Sequence, residues 1–140
     1  METREIALSQ ARGRMVVGVA LVVAPGWAGG RWIGEQARHP AVKVLTRALG
    51  VRDFALGLGA VIAIDRGAPA RGWFEAAALS DGVDLAATLL AGDSIPDTAR
   101  KAVSAIAGGS MLACAALARA VDKPPVPAVH AAEAELTGHH

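Results

Sequence analysis

The stretch WFEAAALSDGVDLAATLLAG, from Trp73 to Gly92, reads as an apolar helix that carries two carboxylates near its middle. Asp81 and Asp84 stand three positions apart, which places them on one face of a helix. A carboxylate inside an apolar helix is costly, so it usually faces a partner group or a cavity. The stretch therefore predicts a helix that buries two acidic side chains against neighbouring helices.

Three further apolar segments accompany this one along the chain. The first is uncharged from Met15 to Gly30, with Pro25 near its end, where proline would stop or kink a helix. A buried β-strand is the alternative for VVGVALVV at 16–23, because β-branched residues dominate that run. Helices are predicted at about 13–30, 41–64, 73–91 and 97–121.

The composition favours a membrane rather than water as the surroundings of these helices. The 140 residues suit one domain, 53% of them are hydrophobic, and only 4% are aromatic. Alanine and glycine supply much of the apolar content, as they do in close-packed membrane helices. The net charge of +1 provides no field to attract nucleic acid, and the single cysteine, Cys114, excludes an internal disulfide.

The first and fourth segments lack the polar face that a helix of a soluble bundle needs. Two such helices cannot both be central in a chain of this size. The predicted fold class is therefore all-α, an up-and-down four-helix transmembrane bundle that crosses the cell membrane several times. The bundle covers residues 1–121, and residues 122–140 are expected to form a flexible, proline-containing tail. A soluble helical bundle or oligomer and an α/β domain are the alternatives.

Charged residues inside the apolar segments are the candidates for a site. They are Arg52, Asp53, Glu75, Asp81 and Asp84. We expect Arg52 to pair with Asp81 or Asp84, because an ion pair is the least costly way to bury these charges. Asp53 points about 100° away from Arg52 on a helix, so a different partner is expected for it. The cluster is interpreted as a structural clasp that sets helix register. A proton or cation relay, a small-ligand site and a solvated interface stay open.

Small residues predict close helix contacts at two places. These are Gly50, Gly57 and Gly59 in the second predicted helix, and Ala105, Gly109 and Ala113 in the fourth. The second set forms a stripe with a small residue at every fourth position. We expect this stripe to pack inside the bundle, and pairing of two copies of the chain is the alternative.

Motifs for cofactors are incomplete. Gly57-Leu58-Gly59 lacks the third glycine of a dinucleotide-binding fingerprint, and the sequence contains no phosphate-binding loop. His39 lies in a connector and His130 in the tail, so neither a metal site nor a pair of heme ligands is predicted. We predict no metal, no cofactor and no nucleic-acid partner. The expected partners are the lipid bilayer and either a second copy or another membrane protein.

The run RALGVRDFALGLG, from Arg47 to Gly59, is followed later by Asp81-Gly82-Val83-Asp84. This pattern, R-x-x-G-x-R-D with a following G-x-G, resembles a group of small bacterial membrane proteins with four predicted helices. The resemblance covers roughly residues 12–121. It implies a membrane location and a four-helix fold, and it implies no activity.

The leading functional hypothesis is a non-enzymatic accessory or interaction protein of the membrane. The alternative is a small proton- or ion-conducting transporter, assembled as an oligomer, that uses Asp81 and Asp84. A membrane enzyme acting on a lipid or a quinone comes third, because the sequence reveals no nucleophile beside a base.

Overall fold

The computed structural model describes residues 2–123, and this part of the chain is all-α, as predicted. Five α-helices follow one another: α1 (Glu2–Val23), α2 (Pro25–Ile33), α3 (Pro40–Asp65), α4 (Arg71–Ala91) and α5 (Asp97–Ala120). Short 3-10 helices, Gly34–Arg38 and Gly92–Ser94, precede α3 and α5. The described residues contain no strand, and the alternative strand at 16–23 is part of α1. The predicted tail lies outside the described residues from 124 onward.

The first predicted helix, about 13–30, differs from the structure at both ends. Helix α1 already begins at Glu2, and its first turn carries Glu2 and Glu5, whose charges suit the positive end of the helix dipole. The helix ends at Val23, because Pro25 takes the first turn of α2 and has no N–H to continue the hydrogen bonding of α1. The hydropathy pattern predicted only the apolar second half of α1. Because the helix begins at Glu2, Arg14 lies well inside it.

Helices α1 and α3 pack antiparallel, and we call them the first helix pair. Glycines lie where the two backbones meet. A Cβ on Gly18 would lie 2.6 Å from the carbonyl oxygen of Gly50, and a Cβ on Gly57 would lie 2.5 Å from that of Ala11. No other residue permits so close an approach, so these glycines allow the two helices to pack closely.

Helices α4 and α5 form the second helix pair. At its middle, a Cβ on Gly82 would lie 3.2 Å from Sδ of Met111. At one end, the carboxylate of Asp122, just after α5, accepts hydrogen bonds from the backbone N–H groups of Ala70 (2.9 Å) and Arg71 (3.0 Å). These bonds satisfy donors that the start of a helix leaves unpaired, so the end of α5 fixes the beginning of α4.

The interior is built mainly from small residues, and many large apolar side chains lie outside. Nine of the fifteen buried hydrophobic residues are alanines, so little of the large apolar surface is inside. Exposed large apolar side chains include Val16, Val44, Leu45, Leu79, Leu90 and Leu112. The buried polar residues are Arg14, Thr46, Asp53, Asp81 and Thr88. This distribution reverses the one typical of a water-soluble domain.

Two helices of the described part are long and apolar enough to cross a membrane, by length and composition. They are α1 and α5, each with an 18-residue stretch of mean hydropathy 1.5. Only 28% of that stretch in α1 and 22% in α5 is buried within the chain. Neither helix is therefore a core helix of the kind that soluble proteins cover on all sides.

Candidate functional site

Arg14 lies in a buried ion-pair network that reaches four helices. Its side chain is only 7% exposed. Its Nη1 donates a hydrogen bond to Oδ1 of Asp53 on α3 at 3.1 Å. Its Nη2 donates to Oδ2 of Asp81 on α4 and to Oγ of Ser110 on α5, the latter at 3.2 Å. One guanidinium, with its rigid fork of donors, thus connects the first helix pair to the second.

Arg52 forms the other half of the network. Its Nη1 and Nη2 donate to the two carboxylate oxygens of Asp84, at 3.1 and 2.6 Å. Its Nε and Nη2 also donate to Oδ1 of Asp53, at 3.2 and 3.1 Å. Oδ1 of Asp53 therefore accepts from both arginines and joins the two halves. We call Arg14, Arg52, Asp53, Asp81 and Asp84 the charge network.

The charge network lies at mid-height in the bundle. Asp81 is the central residue of α4, and Arg52 and Asp53 are the two central residues of α3. At 1.5 Å per residue, Asp81 is about 15 Å from either end of its helix. Charges at the helix ends reach water easily, whereas these charges are held at the level farthest from both ends.

Two shorter hydrogen-bond chains extend the network. Next to α5, Nε2 of Gln10 donates to Oγ of Ser110 at 3.1 Å. Next to α2, Nε1 of Trp32 donates to Oγ1 of Thr88 at 3.1 Å. The Thr88 hydroxyl in turn donates to the backbone carbonyl oxygen of Asp84 at 2.7 Å. The second chain attaches the short helix α2 to the middle of α4.

Four of the five predicted site residues lie together in the structure: Arg52, Asp53, Asp81 and Asp84. Of the two expected partners, Arg52 contacts Asp84, while Asp81 contacts Arg14. Asp53 contacts Arg52 in spite of the angle between them on α3, because the long guanidinium side chain folds back along its own helix.

Glu75, the fifth predicted residue, lies apart from the network. It is exposed near the start of α4, where its Oε1 accepts a hydrogen bond from Nε of Arg71, four positions earlier, at 2.6 Å. Such an exposed pair on one helix contributes little stability. Its position near the helix end explains its exposure.

Sequence reasoning missed Arg14, because the first helix was expected to begin at about residue 13 and Arg14 then stood at its end. A signal was nevertheless present. Ala7, Ala11, Arg14, Gly18 and Leu21 follow one another at steps of three and four, and all five are buried. This spacing is that of one helix face, so a helix extended to Glu2 would have placed Arg14 on its buried face.

The predicted packing residues divide between two environments. Gly50 and Gly57 contact α1, and a Cβ on Gly59 would lie 2.4 Å from the ring of Trp73. The stripe on α5 is exposed, in contrast to the packing expected inside the bundle. It comprises Ala105, Gly109 and Ala113. The reason is that α5 packs on α4 with a different face and leaves a cleft between itself and α1.

This cleft has a volume of about 900 Å³ and lies between α1, α2 and α5. Its walls are apolar, and they include Val17, Leu21, Val103, Ile106 and the stripe on α5. Its floor is polar: Arg14, Asp53, Asp81 and Asp84 line it together with Gln10 and Ser110. Trp27, Arg31 and Trp32 of α2 line it as well, with the Arg31 guanidinium 4.0 Å from the centre of the Trp27 ring. An apolar pocket with a few convergent polar groups is typical of ligand sites.

The carboxylates of the site are held by arginines. Within residues 2–123, no group of three or more His, Cys, Asp or Glu side chains is arranged to hold a metal ion. In the charge network each aspartate accepts from at least one guanidinium.

No family model, no curated protein and no solved structure matches this chain. The resemblance based on the Arg47–Gly59 motif stays a prediction.

Proposed function

We propose that this protein is a non-enzymatic integral membrane protein in which α1, α3, α4 and α5 cross the bilayer and the charge network holds the two helix pairs in register. The observation that carries the proposal is the distribution of side chains: most buried hydrophobic residues are alanines, three charged residues are buried, and many large apolar residues lie outside. Lipid surroundings favour exposed valine, leucine and isoleucine, whereas water disfavours a continuous surface of them.

Helix length supports the proposal. Helix α4, the shortest of the four with 21 residues, is about 32 Å long, and α3, the longest with 26, is about 39 Å long. The hydrocarbon core of a bilayer is about 30 Å thick. Helix α2, with nine residues, is too short to cross, and its Trp27 and Trp32 suit the membrane–water interface.

Arg12 is the exposed charge nearest the middle of α1. Side chains on a helix point towards its N-terminus, which for α1 is the direction of the nearer membrane surface in this arrangement. Ten residues, or about 15 Å, separate Arg12 from the start of α1. Its side chain can direct the guanidinium towards that surface and keep its methylene groups in the apolar region, which reduces the cost of the charge.

The ion pairs support a structural role for the charge network. A relay carboxylate has to exchange its proton or ion during each cycle. Here Asp81 is bound by Arg14, and Asp84 is bound by Arg52 through both carboxylate oxygens. Exchange would require these contacts to break inside an apolar bundle, where an unpaired charge is costly. A register-setting clasp suits an accessory or interaction protein of the membrane.

A second candidate, an ion- or proton-conducting transporter, is favoured by one observation. The charge network contains two arginines and three aspartates, a formal charge of 2 − 3 = −1 if all are ionised, and the cleft reaches all three carboxylates. A cation or proton that enters the cleft would offset this excess. Flux measurements in reconstituted vesicles distinguish the candidates: a transporter loses flux on Asp84→Asn while it stays folded, and a clasp protein has no flux to lose.

Membrane fractionation tests the main proposal. Membranes that contain the expressed protein are washed with alkaline carbonate, which releases peripheral proteins, and the pellet is then treated with detergent. We expect the protein to stay in the washed pellet and to be released only by detergent. Recovery in the soluble fraction, as a large particle on size-exclusion chromatography, would instead assign the exposed apolar faces to an oligomer interface.

A further inference from the structure

We propose that the α2 end of the bundle binds one anionic phospholipid, with the phosphate at Arg31 and one acyl chain in the cleft between α1, α2 and α5. The inference rests on the proposed membrane setting and deepens it, because it names a lipid class and the residues that recognise it. It is carried by an excess of positive charge around α2, by a free guanidinium at the mouth of the cleft, and by the length of the cleft.

Positive charge is concentrated at the end of the bundle that carries α2. Near the helix ends and in the connections, this end has six basic and three acidic side chains, a formal charge of 6 − 3 = +3, whereas the opposite end of the described part has five of each. The residues of the α2 end are Arg31, Arg38, Lys43, Arg47, Arg100 and Lys101, against Glu35, Asp93 and Asp97. Those of the opposite end are Arg4, Arg66, Arg71, Arg119 and Lys123, against Glu2, Glu5, Asp65, Glu75 and Asp122. Anionic headgroups attract basic residues that are clustered at one membrane surface.

The excess belongs to three basic residues in and beside α2. Each acidic side chain of this end is paired with one of the other basic residues there. Arg31, Lys43 and Arg47 form no ion pair within residues 2–123. Arg31 belongs to α2, a Cβ on Gly26 of α2 would lie 3.5 Å from Cε of Lys43, and Nε of Arg47 donates to the carbonyl oxygen of Val22 at 3.2 Å. The short helix α2 therefore lies among positive charges that have no carboxylate to offset them.

Arg31 lies at the mouth of the cleft with its hydrogen-bond donors free. Its guanidinium is 4.0 Å from the centre of the Trp27 ring, and both side chains line the cleft. Stacking on a ring leaves the N–H groups at the edge of a guanidinium available, and within the described part of the chain no group accepts a hydrogen bond from them. Such a fork binds a phosphate through two parallel hydrogen bonds. Trp27 and Trp32 suit the depth at which headgroups lie.

The cleft has the length of one leaflet of a bilayer. Its lining runs from Leu21 to Gln10 on α1, and from Ala102 to Ala113 on α5. At 1.5 Å per residue, either stretch of the lining is about 16 Å long. One leaflet contributes half of a hydrocarbon core that is about 30 Å thick. An acyl chain whose headgroup lies at α2 would therefore extend along the cleft to the middle of the bundle.

The walls and the floor of the cleft suit an uncharged chain. The walls present Val17, Leu21, Val103 and Ile106, against which methylene groups gain apolar contacts. In the floor each aspartate already accepts from an arginine of the charge network, so an uncharged chain leaves no carboxylate without a partner. A free phosphate ion would leave the walls without contacts, and a zwitterionic phospholipid would bring a second positive group towards Arg31.

Two phospholipids that differ in headgroup charge test the proposal. Dioleoyl phosphatidylglycerol and dioleoyl phosphatidylcholine have the same acyl chains. Each is titrated into the purified full chain in a non-ionic detergent, and the bound lipids are counted by native mass spectrometry. We expect one phosphatidylglycerol per chain to bind at least about fivefold more tightly than phosphatidylcholine, the effect of about one basic residue on an anionic lipid. Equal affinities would overturn the proposal.

Arg31→Gln tests the headgroup contact, with Arg38→Gln as the matched control. Both variants remove one positive charge from an exposed position at the same end of the bundle, and Arg38 does not line the cleft. We expect phosphatidylglycerol to bind about fivefold more weakly to Arg31→Gln, and at most about twofold more weakly to Arg38→Gln. Equal losses would assign the attraction to the general field of this end and would overturn a site at Arg31.

Gly109→Leu tests the position of the acyl chain. Gly109 lines the cleft, and a Cβ at this position would meet no atom of the described residues within 4 Å. The leucine side chain should enter the cleft without touching the charge network, so the variant is expected to fold and to bind phosphatidylglycerol several-fold more weakly. Unchanged affinity in the folded variant would overturn the placement of the chain in the cleft.

The lipid site and the membrane assignment fail separately. Equal binding of the two phospholipids to a protein that stays in the carbonate-washed pellet would overturn the lipid site and leave the membrane proposal standing. Recovery of the protein in the soluble fraction would overturn the membrane proposal, whatever the titration shows. Should Gly109→Leu fail to fold, Arg31→Gln still tests the site, because Arg31 is exposed and forms no hydrogen bond within residues 2–123.

Discussion

Arg14 of α1 donates a hydrogen bond to Asp81 of α4, although 67 positions separate the two residues along the chain. The contact crosses from the first helix pair to the second. The two pairs pack on each other only sparsely, compared with the packing of the helices inside each pair. Small residues hold each pair together, and the charge network connects the pairs. The stability of the whole bundle should therefore depend on a few charged side chains at its middle.

Arg14→Ala should be strongly destabilising, because it leaves Asp53 and Asp81 with less compensation in an apolar interior. Removing one partner of a buried ion pair typically costs about 3–5 kcal/mol. Arg12→Ala is the matched control, since Arg12 is exposed on the same helix. It should change stability by about 0.5 kcal/mol or less. Thermal unfolding of both variants in the same detergent gives the comparison, and equal losses would contradict the central position of Arg14.

Arg52→Gln should cost less than Arg14→Gln. The Arg52 side chain is 31% exposed against 7% for Arg14. Arg52 bonds to one neighbouring helix, whereas Arg14 bonds to three, so the loss of Arg52 breaks fewer buried contacts. The expected loss for Arg52→Gln is on the order of 1.5–3 kcal/mol, the range for hydrogen bonds to charged groups. Denaturant titration of both variants ranks them. A larger loss of stability in Arg52→Gln than in Arg14→Gln would contradict this ranking and make Arg52 the more important of the two arginines.

Gly57→Ala should separate α1 from α3, because the added Cβ would lie 2.5 Å from the carbonyl oxygen of Ala11 and 2.7 Å from Cγ of Met15. Overpacking of this kind costs about 1–3 kcal/mol. Gly109→Ala is the control, since its Cβ would meet no described atom within 4 Å and alanine favours a helix by up to about 1 kcal/mol over glycine. A loss of stability in both variants, or in neither, would argue against close backbone contact at Gly57.

Trp32→Phe should destabilise the attachment of α2 to α4. The substitution removes the N–H that donates to Thr88, at a cost of about 1 kcal/mol, and leaves most of the ring surface in place. Trp27→Phe is the control, because the Trp27 side chain is exposed. Proteolysis of the chain near α2 under native conditions reports the difference. Faster cleavage is expected for Trp32→Phe alone, and equal rates in the two variants would contradict the proposed attachment.

The sequence predicted three of the long helices closely, because chain-breaking residues bound them. The predicted helix at about 41–64 is Pro40–Asp65, that at 73–91 is Arg71–Ala91, and that at 97–121 is Asp97–Ala120. Proline starts the first of these, and a turn with Gly67 in the left-handed region (φ 64°) ends it. Prolines and glycines that start or end a helix can be recognised in the sequence without the tertiary structure.

The partners in the charge network could be predicted only in part, since they depend on packing between helices. The i, i+3 spacing of Asp81 and Asp84 placed both on one face, and Arg52 was the basic residue deepest in an apolar segment. Which carboxylate Arg52 reaches depends on the rotation of α3 against α4, and sequence spacing does not determine that. Arg14 was not predicted as a site residue, because the first half of α1 is polar and the predicted helix began only at about residue 13.

The cleft could not be predicted from the sequence either. The stripe of small residues on α5 is typical of helix contacts, and pattern alone does not distinguish a packed face from one that lines an open groove. The distinction depends on the distance between α1 and α5, which their connections to α2 and α4 determine.

The most direct test of the membrane assignment measures what the exposed apolar side chains face. In a Cys114→Ala background, a single cysteine replaces Leu79 or Leu112, and the chain is spin-labelled and reconstituted into vesicles. Ala68→Cys, in the exposed turn between α3 and α4, is the control. Collisions with oxygen, which enters the bilayer, and with a water-soluble nickel chelate, which does not, are measured by electron paramagnetic resonance.

At the Leu79 and Leu112 positions we expect high accessibility to oxygen and low accessibility to the nickel chelate, with the reverse at position 68. Access of the chelate to the first two positions would place them in water. Access of neither reagent would place them in a protein–protein interface, and either result would contradict a bundle whose outer surface faces lipid.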